Sequence, residues 1–263
     1  MNPPGPKPEV KHVTLDKNGK RTVNPVEQYI HERDEQIKEN KRDRDLEVSI
    51  YRLTEWLVKS NYTKNFTWMG VPILQYPSDL MVMQELIWKI QPDYIIETGI
   101  AFGGSTLFYA HMLRMVGKGK VVAIDIDIRP HASGVCKREE NIIFISDDSS
   151  CPRCHAKVVH EIGYLKHGMV VLDSCHTHDH VLAELRLYSP LVSVGSYIVV
   201  FDTAIEFFSH LDKNQDRPWG KGNNPATAVK AFLEETDDFI VDKDIDQRAL
   251  ITSAPGGWLR RIK

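Results

Sequence analysis

The chain has 263 residues, 42% of them hydrophobic, so it can build one large domain with a packed core, and a disordered or fibrous chain is excluded. Its formal net charge of -3 shows no basic surplus, and therefore neither nucleic acid nor an anionic membrane surface is an expected partner. Four cysteines are too few for a disulfide scaffold, no secretory signal is visible, and no apolar run approaches the roughly 20 residues that cross a bilayer, so we expect a cytoplasmic protein.

Residues 1–60 are predicted to be a tail followed by a charged and amphipathic helical extension. The first 20 residues are rich in proline and poor in large apolar side chains, so they cannot order themselves alone. Residues 31–47 carry 12 charged residues of both signs in 17, which is typical of a solvated helix. One helix face then repeats an apolar pattern: Leu46, Ile50, Leu53 and Leu57. This face is expected to cover the main domain or to form a homo-oligomer.

Residues 61–263 are predicted to form the main domain, a doubly wound α/β fold. Five short apolar runs are rich in β-branched residues and do not alternate, as in strands of a parallel sheet that are buried on both faces. These runs are 94–96, 120–124, 141–145, 169–172 and 197–201. Crossover helices are expected at 103–116, 152–166 and 177–188.

The end of the chain is predicted to close the sheet. Asn224 followed by Pro225 resembles an N-cap with proline at the first helical position, and it predicts a helix that reaches residue 235. A strand at 239–241 and two runs around Pro255-Gly256-Gly257 predict closing strands that include a hairpin.

Acidic residues follow every predicted parallel strand. They are Glu97, Asp125, the pair Asp147 and Asp148, Asp173, and Asp202. In open α/β sheets the ligand binds beyond the carboxyl ends of the strands, so these acids are expected to face it. Carboxylates there can accept hydrogen bonds from the hydroxyl and amine groups of a nucleoside ligand.

The loop from Glu97 to Ser105 is the predicted cofactor site. Gly99, Gly103 and Gly104 allow the backbone to approach a ligand, and Ser105 opens a helix. The pattern is not GxGxxG, and an acid before Gly99 would repel a pyrophosphate. The same acid can attract the ammonium and sulfonium groups of S-adenosylmethionine, which is therefore the predicted cofactor.

Two later acids are assigned to the same ligand. Asp125 is expected to bind the ribose hydroxyls and Asp148 the adenine amino group. The alternative is that these acids only cap the helices that follow them, and for Asp147 we favour that alternative.

Together these pieces resemble the cephalosporin hydroxylase family of class I methyltransferases, which is related to the macrocin O-methyltransferases. The resemblance runs from about residue 68 to the end of the chain. Its recognisable segments are Glu97-Thr98-Gly99 with Gly103-Gly104-Ser105, Val122 to Asp125, Leu172-Asp173-Ser174 with His176-Thr177-His178, and Tyr197 to Val200 before Asp202.

The resemblance implies a seven-stranded, mostly parallel, Rossmann-like sheet, S-adenosylmethionine as methyl donor and, in several members, a magnesium ion beside the acceptor. Members usually carry an acidic pair where this chain has Phe201-Asp202, and Phe201 cannot bind a cation. The family name suggests hydroxylation, and His210-Leu211-Asp212 has the spacing of two ligands of a non-haem iron. No histidine follows His210, so oxygenase chemistry is not expected.

Asp173 and Asp202 are the predicted metal ligands, and Asp173 and His176 the predicted catalytic residues. A magnesium ion held by two carboxylates can lower the pKa of an acceptor hydroxyl, and a nearby histidine can take its proton. Only His176 matches a position of the family, and its alternative role is to cap or solvate the turn. His178 and His180 are expected to be structural.

Cys151-Pro152-Arg153-Cys154-His155 has the spacing of half a zinc site, with Cys136 as a conceivable further ligand. A fourth ligand is not positioned by the sequence, so zinc is the less favoured interpretation.

The predicted function is magnesium-assisted methyl transfer to a hydroxyl of a sugar or a glycosylated natural product. Residues 212–224 form a polar loop at the ligand-facing edge that either closes over the substrate or only connects a strand to a helix. The alternatives are an NAD(P)-dependent oxidoreductase on a Rossmann-like fold and a non-catalytic protein that binds S-adenosylmethionine.

Overall fold

The computed structural model describes residues 14–15, 17, 21–22, 24–136, 139–211 and 216–263. The chain separates into two compact units, Met1–Tyr51 and Arg52–Lys263, with the division inside a helix. None of the helices in the described ranges is long and apolar enough to cross a membrane.

The described elements alternate between strands and helices along most of the chain. The strands are β1 (Thr14–Leu15), β2 (Arg21–Thr22), β3 (Thr67–Trp68), β4 (Val71–Pro72), β5 (Tyr94–Thr98), β6 (Lys120–Asp125), β7 (Ile142–Ser146), β8 (Gly168–Leu172), β9 (Tyr197–Val200), β10 (Phe239–Val241) and β11 (Trp258–Arg261). The α-helices are α1 (Pro25–Asn40), α2 (Arg44–Lys59), α3 (Pro77–Ile90), α4 (Gly104–Val116), α5 (Pro130–Cys136), α6 (Pro152–Ile162), α7 (His178–Tyr188), α8 (Ile205–Phe208), α9 (Pro225–Glu235) and α10 (Lys243–Ala249). Three 3-10 turns lie at Tyr62–Asn65, Ser189–Leu191 and Ser209–Leu211.

A seven-stranded sheet forms the centre of the second unit, in the order β10-β11-β9-β8-β5-β6-β7. Strands β5 to β9 run parallel, whereas β11 is antiparallel to both β9 and β10. The predicted α/β class and the seven-stranded, mostly parallel sheet are confirmed. Helix α9 also begins as predicted, because Asn224 caps it and closes a capping box with Thr227.

Both faces of the sheet are covered by helices. Successive side chains of a strand point to opposite faces, so Ile95 packs with residues of α3 and α4 while Ile96 packs with residues of α6, α7 and α9. Both side chains are fully buried, which explains why the strand sequences are continuously apolar.

Two details of the prediction are wrong. Residues 250–254, directly before Pro255, form no strand: α10 and a turn lead from β10 into β11 in place of the hairpin. Helix α6 ends at Ile162, because Gly163 takes a positive φ of 55° and terminates it four residues early.

The amphipathic helix α2 is only partly covered. Leu57 is buried, Leu46 and Ile50 are half-buried, and Leu53 is 44% exposed. Helix α1 has no buried residue, as expected for a charged, solvated helix.

Candidate active site

The candidate site lies at the edge of the sheet where the parallel strands end. Glu97 is the penultimate residue of β5, Asp125 ends β6, and Asp173 directly follows β8. Asp148 follows β7, and Asp202 lies two residues beyond β9. Because these strands are parallel neighbours, their carboxyl ends meet at one edge, as the sequence predicts.

Gly99 joins the cofactor loop to the end of β8. It has a φ of 84°, and a Cβ atom there would lie 2.1 Å from the backbone oxygen of Asp173. The Asp173 amide also donates to the Thr98 oxygen at 3.0 Å. Any side chain at position 99 would separate these two backbones, so glycine is required by both conformation and space.

Glu97 is buried beneath the start of α4, which Gly103 caps with a φ of 89°. Thr106 Oγ1 donates to Glu97 Oε2 at 2.5 Å, and the Ser105 hydroxyl also hydrogen-bonds to this carboxyl group. The pKa of Glu97 is raised to about 7, because burial and, to a smaller extent, the charge of Asp125 outweigh the lowering effect of the two hydrogen bonds. The carboxyl group is therefore poised to respond to a nearby positive charge.

Asp125 fastens the loop to β6. Its Oδ2 accepts from the amides of Ile100 at 2.8 Å and Ala101 at 3.4 Å, and its Oδ1 accepts from Asp127 at 3.0 Å. Asp148 is half-buried, and its Oδ1 accepts from the amide and the hydroxyl of Ser150. Both acids thus hold turns of the backbone, and their contacts to a nucleoside stay a prediction.

Asp173, His176 and Asp202 form the one group of three or more potential metal ligands found in the described part of the chain, with one ligand atom from each within 4.8 Å of the others. His176 Nε2 lies 3.2 Å from Asp202 Oδ2. Asp202 has a φ of 57°, an unfavourable conformation for a residue with a side chain, which turns the chain directly after β9.

Charge and hydrogen bonding in this cluster suit a cation. Burial, and then the charges of Asp202 and Glu97, raise the pKa of Asp173 well above its usual value. Gln75 Nε2 donates to Asp173 Oδ2 at 2.8 Å, whereas the buried Gln75 Oε1 has no hydrogen-bond partner among the described residues. Two carboxylates with an orphaned amide oxygen beside them match the oxygen ligands that magnesium prefers.

His176 is enclosed from a second side by an aromatic ring. Its ring centroid lies 4.9 Å from that of Trp219 in an edge arrangement, and Arg217 lies 5.2 Å above the Trp219 ring. Burial lowers the pKa of His176, while Asp202 opposes the shift. A neutral imidazole near pH 7 is able to accept a proton.

The structure also shows which neighbouring residues do not join the cluster. Phe201 is buried and packs edge-on against Trp258, so its side chain belongs to the core. His178 Nδ1 pairs with Thr227 Oγ1, and His180 Nε2 lies 3.4 Å from Glu184. These contacts fit the structural roles predicted for both histidines.

Gln75 and Trp219 contact the cluster, but neither was predicted from the sequence as a residue of the site. Gln75 is 98 residues from its partner Asp173, and it lies between β4 and α3. Trp219 belongs to the loop predicted at 212–224, of which residues 212–215 lie outside the described residues. Neither residue sits in a motif, so no local signal marks them.

Comparisons with known proteins give one consistent result. A family model described as Rhamnosyl O-methyltransferase/CmcI matches residues 60–262. A rhamnosyl O-methyltransferase of Mycobacterium tuberculosis (strain ATCC 25618 / H37Rv) is 32% identical over 205 residues, 74% of this chain and 78% of that protein. A rhamnosyl O-methyltransferase of Mycobacterium leprae (strain TN) is 32% identical over 230 residues, 81% of this chain and 93% of that protein.

Solved structures show the same fold. An apo-structure of CmcI superimposes with a TM-score of 0.54 and 19% identity, covering 76% of this chain and 77% of that chain. CmcI with Mg and SAM gives a TM-score of 0.52 at 18% identity, over 76% and 78% of the two chains.

Proposed function

This chain belongs to the rhamnosyl O-methyltransferase/CmcI family and is an S-adenosylmethionine-dependent methyltransferase, and we propose that it methylates a hydroxyl group of a sugar. The observation that carries the proposal is the cluster of Asp173, His176 and Asp202 beside the cofactor loop. The names of the relatives, rhamnosyl O-methyltransferase, support a saccharide acceptor.

For the cofactor, we propose that the loop of Gly99, Gly103 and Ser105 receives S-adenosylmethionine. Glu97 contributes negative charge toward the amino acid end of this ligand, since its pKa of about 7 allows it to ionise when a cation approaches. Asp125 takes the ribose hydroxyls and Asp148 the adenine amino group, each by exchanging contacts it now makes within its own turn.

Asp173 and Asp202 are the proposed ligands of a magnesium ion. The orphaned Oε1 of Gln75 and the mutual repulsion of the two acids support such an ion. A bound magnesium ion would lower the pKa of the acceptor hydroxyl. CmcI, a protein of the same fold, has been crystallised with Mg and SAM.

His176 is the proposed general base. Its Nε2 is 3.2 Å from Asp202 Oδ2, so a hydroxyl oxygen that reaches the carboxylates also comes within hydrogen-bond reach of Nε2. Nε2 would take the proton and the neighbouring Asp202 carboxylate would stabilise the resulting imidazolium. The oxygen would then attack the methyl carbon in line, so that the O–C bond forms as the S–C bond breaks and S-adenosylhomocysteine leaves. The Trp219 ring beside His176 offers an apolar wall for the sugar.

Methyl transfer from S-adenosylmethionine to a rhamnoside, followed as S-adenosylhomocysteine formed, tests this function. We expect turnover that magnesium stimulates and EDTA removes. In Asp173→Asn, turnover should fall by roughly 100-fold because one metal ligand is lost, while affinity for S-adenosylhomocysteine stays within about threefold of wild type. The control is Asp179→Asn, which removes the same charge from an exposed position in α7.

Two results would contradict the proposal. Equal loss of turnover and cofactor affinity in Asp173→Asn would mean that Asp173 binds the cofactor and that the metal lies elsewhere. Tight binding of S-adenosylhomocysteine without methyl transfer to any sugar glycoside would favour a non-catalytic binding protein, the alternative that Phe201 raises.

A further inference from the structure

Cys151 and Cys154 lie together at the start of α6, outside the proposed active site. Cys151 is the N-cap of this helix and Cys154 its third residue. The Cys154 amide donates to Cys151 Sγ at 3.4 Å. The sulfur of Cys151 therefore lies next to the backbone of Cys154.

The two thiols differ in access. Cys151 is partly exposed, whereas Cys154 is fully buried and its Sγ lies 3.8 Å from the Tyr188 hydroxyl. A reagent from solvent therefore meets Cys151 first, with Cys154 behind it. Burial raises the pKa of Cys154 to about 11, so this second thiol is the less reactive of the two toward a reagent in solution.

Two cations and one carboxylate lie close to Cys151. The helix N-terminus carries a partial positive charge, and the Arg153 guanidinium interacts with both Asp147 and Cys151. Lys157 Nζ lies 2.7 Å from Asp147 Oδ2, so one carboxylate faces two cations. Cys151 Sγ also lies 3.9 Å from Asp147 Oδ1, so this thiol belongs to a polar, ion-paired cluster.

A metal does not explain the pair within the part of the chain that the structure describes. The group of Asp173, His176 and Asp202 is the only one there with three converging ligands, so Cys151, Cys154 and His155 do not converge. The side chain of Cys136, the further ligand considered for zinc, lies outside the described residues. His155 packs its ring against Tyr188, 5.8 Å between centroids.

We propose that Cys151 and Cys154 are a modification site, at which a peroxide forms a reversible disulfide. The Cys151 sulfur attacks one peroxide oxygen, the O–O bond breaks, and a sulfenic acid and one water result. The Cys154 sulfur then displaces the hydroxyl group as a second water. Two electrons pass from the sulfurs to hydrogen peroxide, and a dithiol reductant reverses the reaction.

The disulfide also affects the cofactor, a consequence that rests on the proposed function of Asp148. The Cys151 amide donates to the Asp148 oxygen at 3.2 Å, so the two residues share one turn. A disulfide removes the sulfur cap from the Cys154 amide and draws Cys151 toward the helix. Oxidation is therefore expected to lower the affinity for S-adenosylhomocysteine at least threefold.

Peptide mapping of the full chain after treatment with hydrogen peroxide tests the site. Trypsin cleaves after Arg153, between the two cysteines, so the disulfide joins peptides 139–153 and 154–157 into one species that dithiothreitol separates. This species is expected in the wild type and in Cys175→Ser, and it should be absent from Cys151→Ser and Cys154→Ser. Each variant's far-ultraviolet circular dichroism is compared with wild type to establish that it folds.

Oxidation of Cys151 to a sulfinic or sulfonic acid without cross-linking would overturn the proposal, as would zinc bound to the reduced protein. Calorimetric titration with S-adenosylhomocysteine separates the two claims. If the reduced protein does not bind this ligand, the proposed function fails, whereas the cross-link still decides the modification site. Equal affinity of the reduced and oxidised forms would refute the effect on the cofactor.

Discussion

Glu97 is the residue whose ionisation should follow cofactor binding. Its pKa of about 7 in the free protein is raised mainly by burial, and the ammonium group of the cofactor should lower it. Binding then favours the ionised form, so affinity should increase as pH rises through 7. If the bound pKa lies below about 5, affinity should rise about tenfold between pH 6 and pH 8.

Calorimetry with S-adenosylhomocysteine and EDTA measures this dependence. At pH 7, about half a proton should be released on binding, seen as a difference in heat between buffers of unlike ionisation enthalpy. Glu97→Gln should bind more weakly and lose the pH dependence attributed to this residue. An unchanged pH profile in that variant would assign the titration to another group.

The sequence is most informative about acidic residues at strand ends and least informative about their partners. The positions of Asp173 and Asp202 follow from the strand pattern, because parallel strands end at one edge. The contacts of Gln75 with Asp173 and of Trp219 with His176 depend on how distant loops return to that edge. No spacing rule encodes such returns.

Among the elements, α3 is tied to the segment between α10 and β11 through a buried carboxyl group. Asp79, in the first turn of α3, accepts from the amide of Ser253 at 2.9 Å and from its hydroxyl at 3.1 Å. The Thr252 side chain also hydrogen-bonds to this carboxyl group. Burial raises the pKa of Asp79 to about 6 from 3.8, and the Ser253 contacts only partly oppose the shift.

A carboxyl group whose pKa is higher in the folded than in the unfolded protein favours folding most at a pH below its unfolded pKa. This contribution to the free energy of unfolding is lost as the pH rises through the pKa of the folded state. Asp79 should therefore make the protein less stable at pH 8 than at pH 5 by about 1.4 kcal/mol, since pH 5 is one unit below its pKa. Asp79→Asn should remove this contribution, which urea unfolding at the two pH values measures. The exposed Asp45→Asn is the matched control, and an equal change in both variants would contradict the assignment.

The type of an element was predictable where the sequence carries a clear signal, and the prediction failed where it carries none. The central strands are continuous apolar runs, and Asn224-Pro225 marks the start of α9. Helix α10 is seven residues long and includes four charged side chains and one buried apolar one, Ile245, so it has no amphipathic period. Its presence converts the predicted hairpin into a longer connection between β10 and β11.

For the whole molecule, self-association through α2 stays a prediction. Leu53 and Trp56 are 44% and 60% exposed on this helix, and large exposed apolar side chains close together are typical of interfaces. We expect sedimentation velocity to show an oligomer for the full chain and a monomer for the double variant Leu53→Lys, Trp56→Lys. Val194→Lys, equally apolar and 65% exposed in a loop, should leave the oligomer intact. A monomeric wild type would refute the interface.

Composition alone does not locate the boundary between the two units of the chain. Residues 1–60 differ from the remainder in charge and in proline content, and the sequence places its boundary there. The two compact units divide between Tyr51 and Arg52. Helix α2 crosses this division, and a boundary within one continuous helix leaves no break in the sequence pattern.

The contact at Gly99 has a thermodynamic consequence. Because its backbone touches that of Asp173, the loop proposed for the nucleoside and the residue proposed for the cation cannot shift independently. Their ligands should then bind with a shared coupling free energy: whatever factor one ligand adds to the affinity of the other, it receives in return. If the coupling is favourable, a low concentration of either ligand would reduce the occupancy of both sites. The glycine at position 99 would then make the activity depend jointly on the concentrations of the cofactor and the cation.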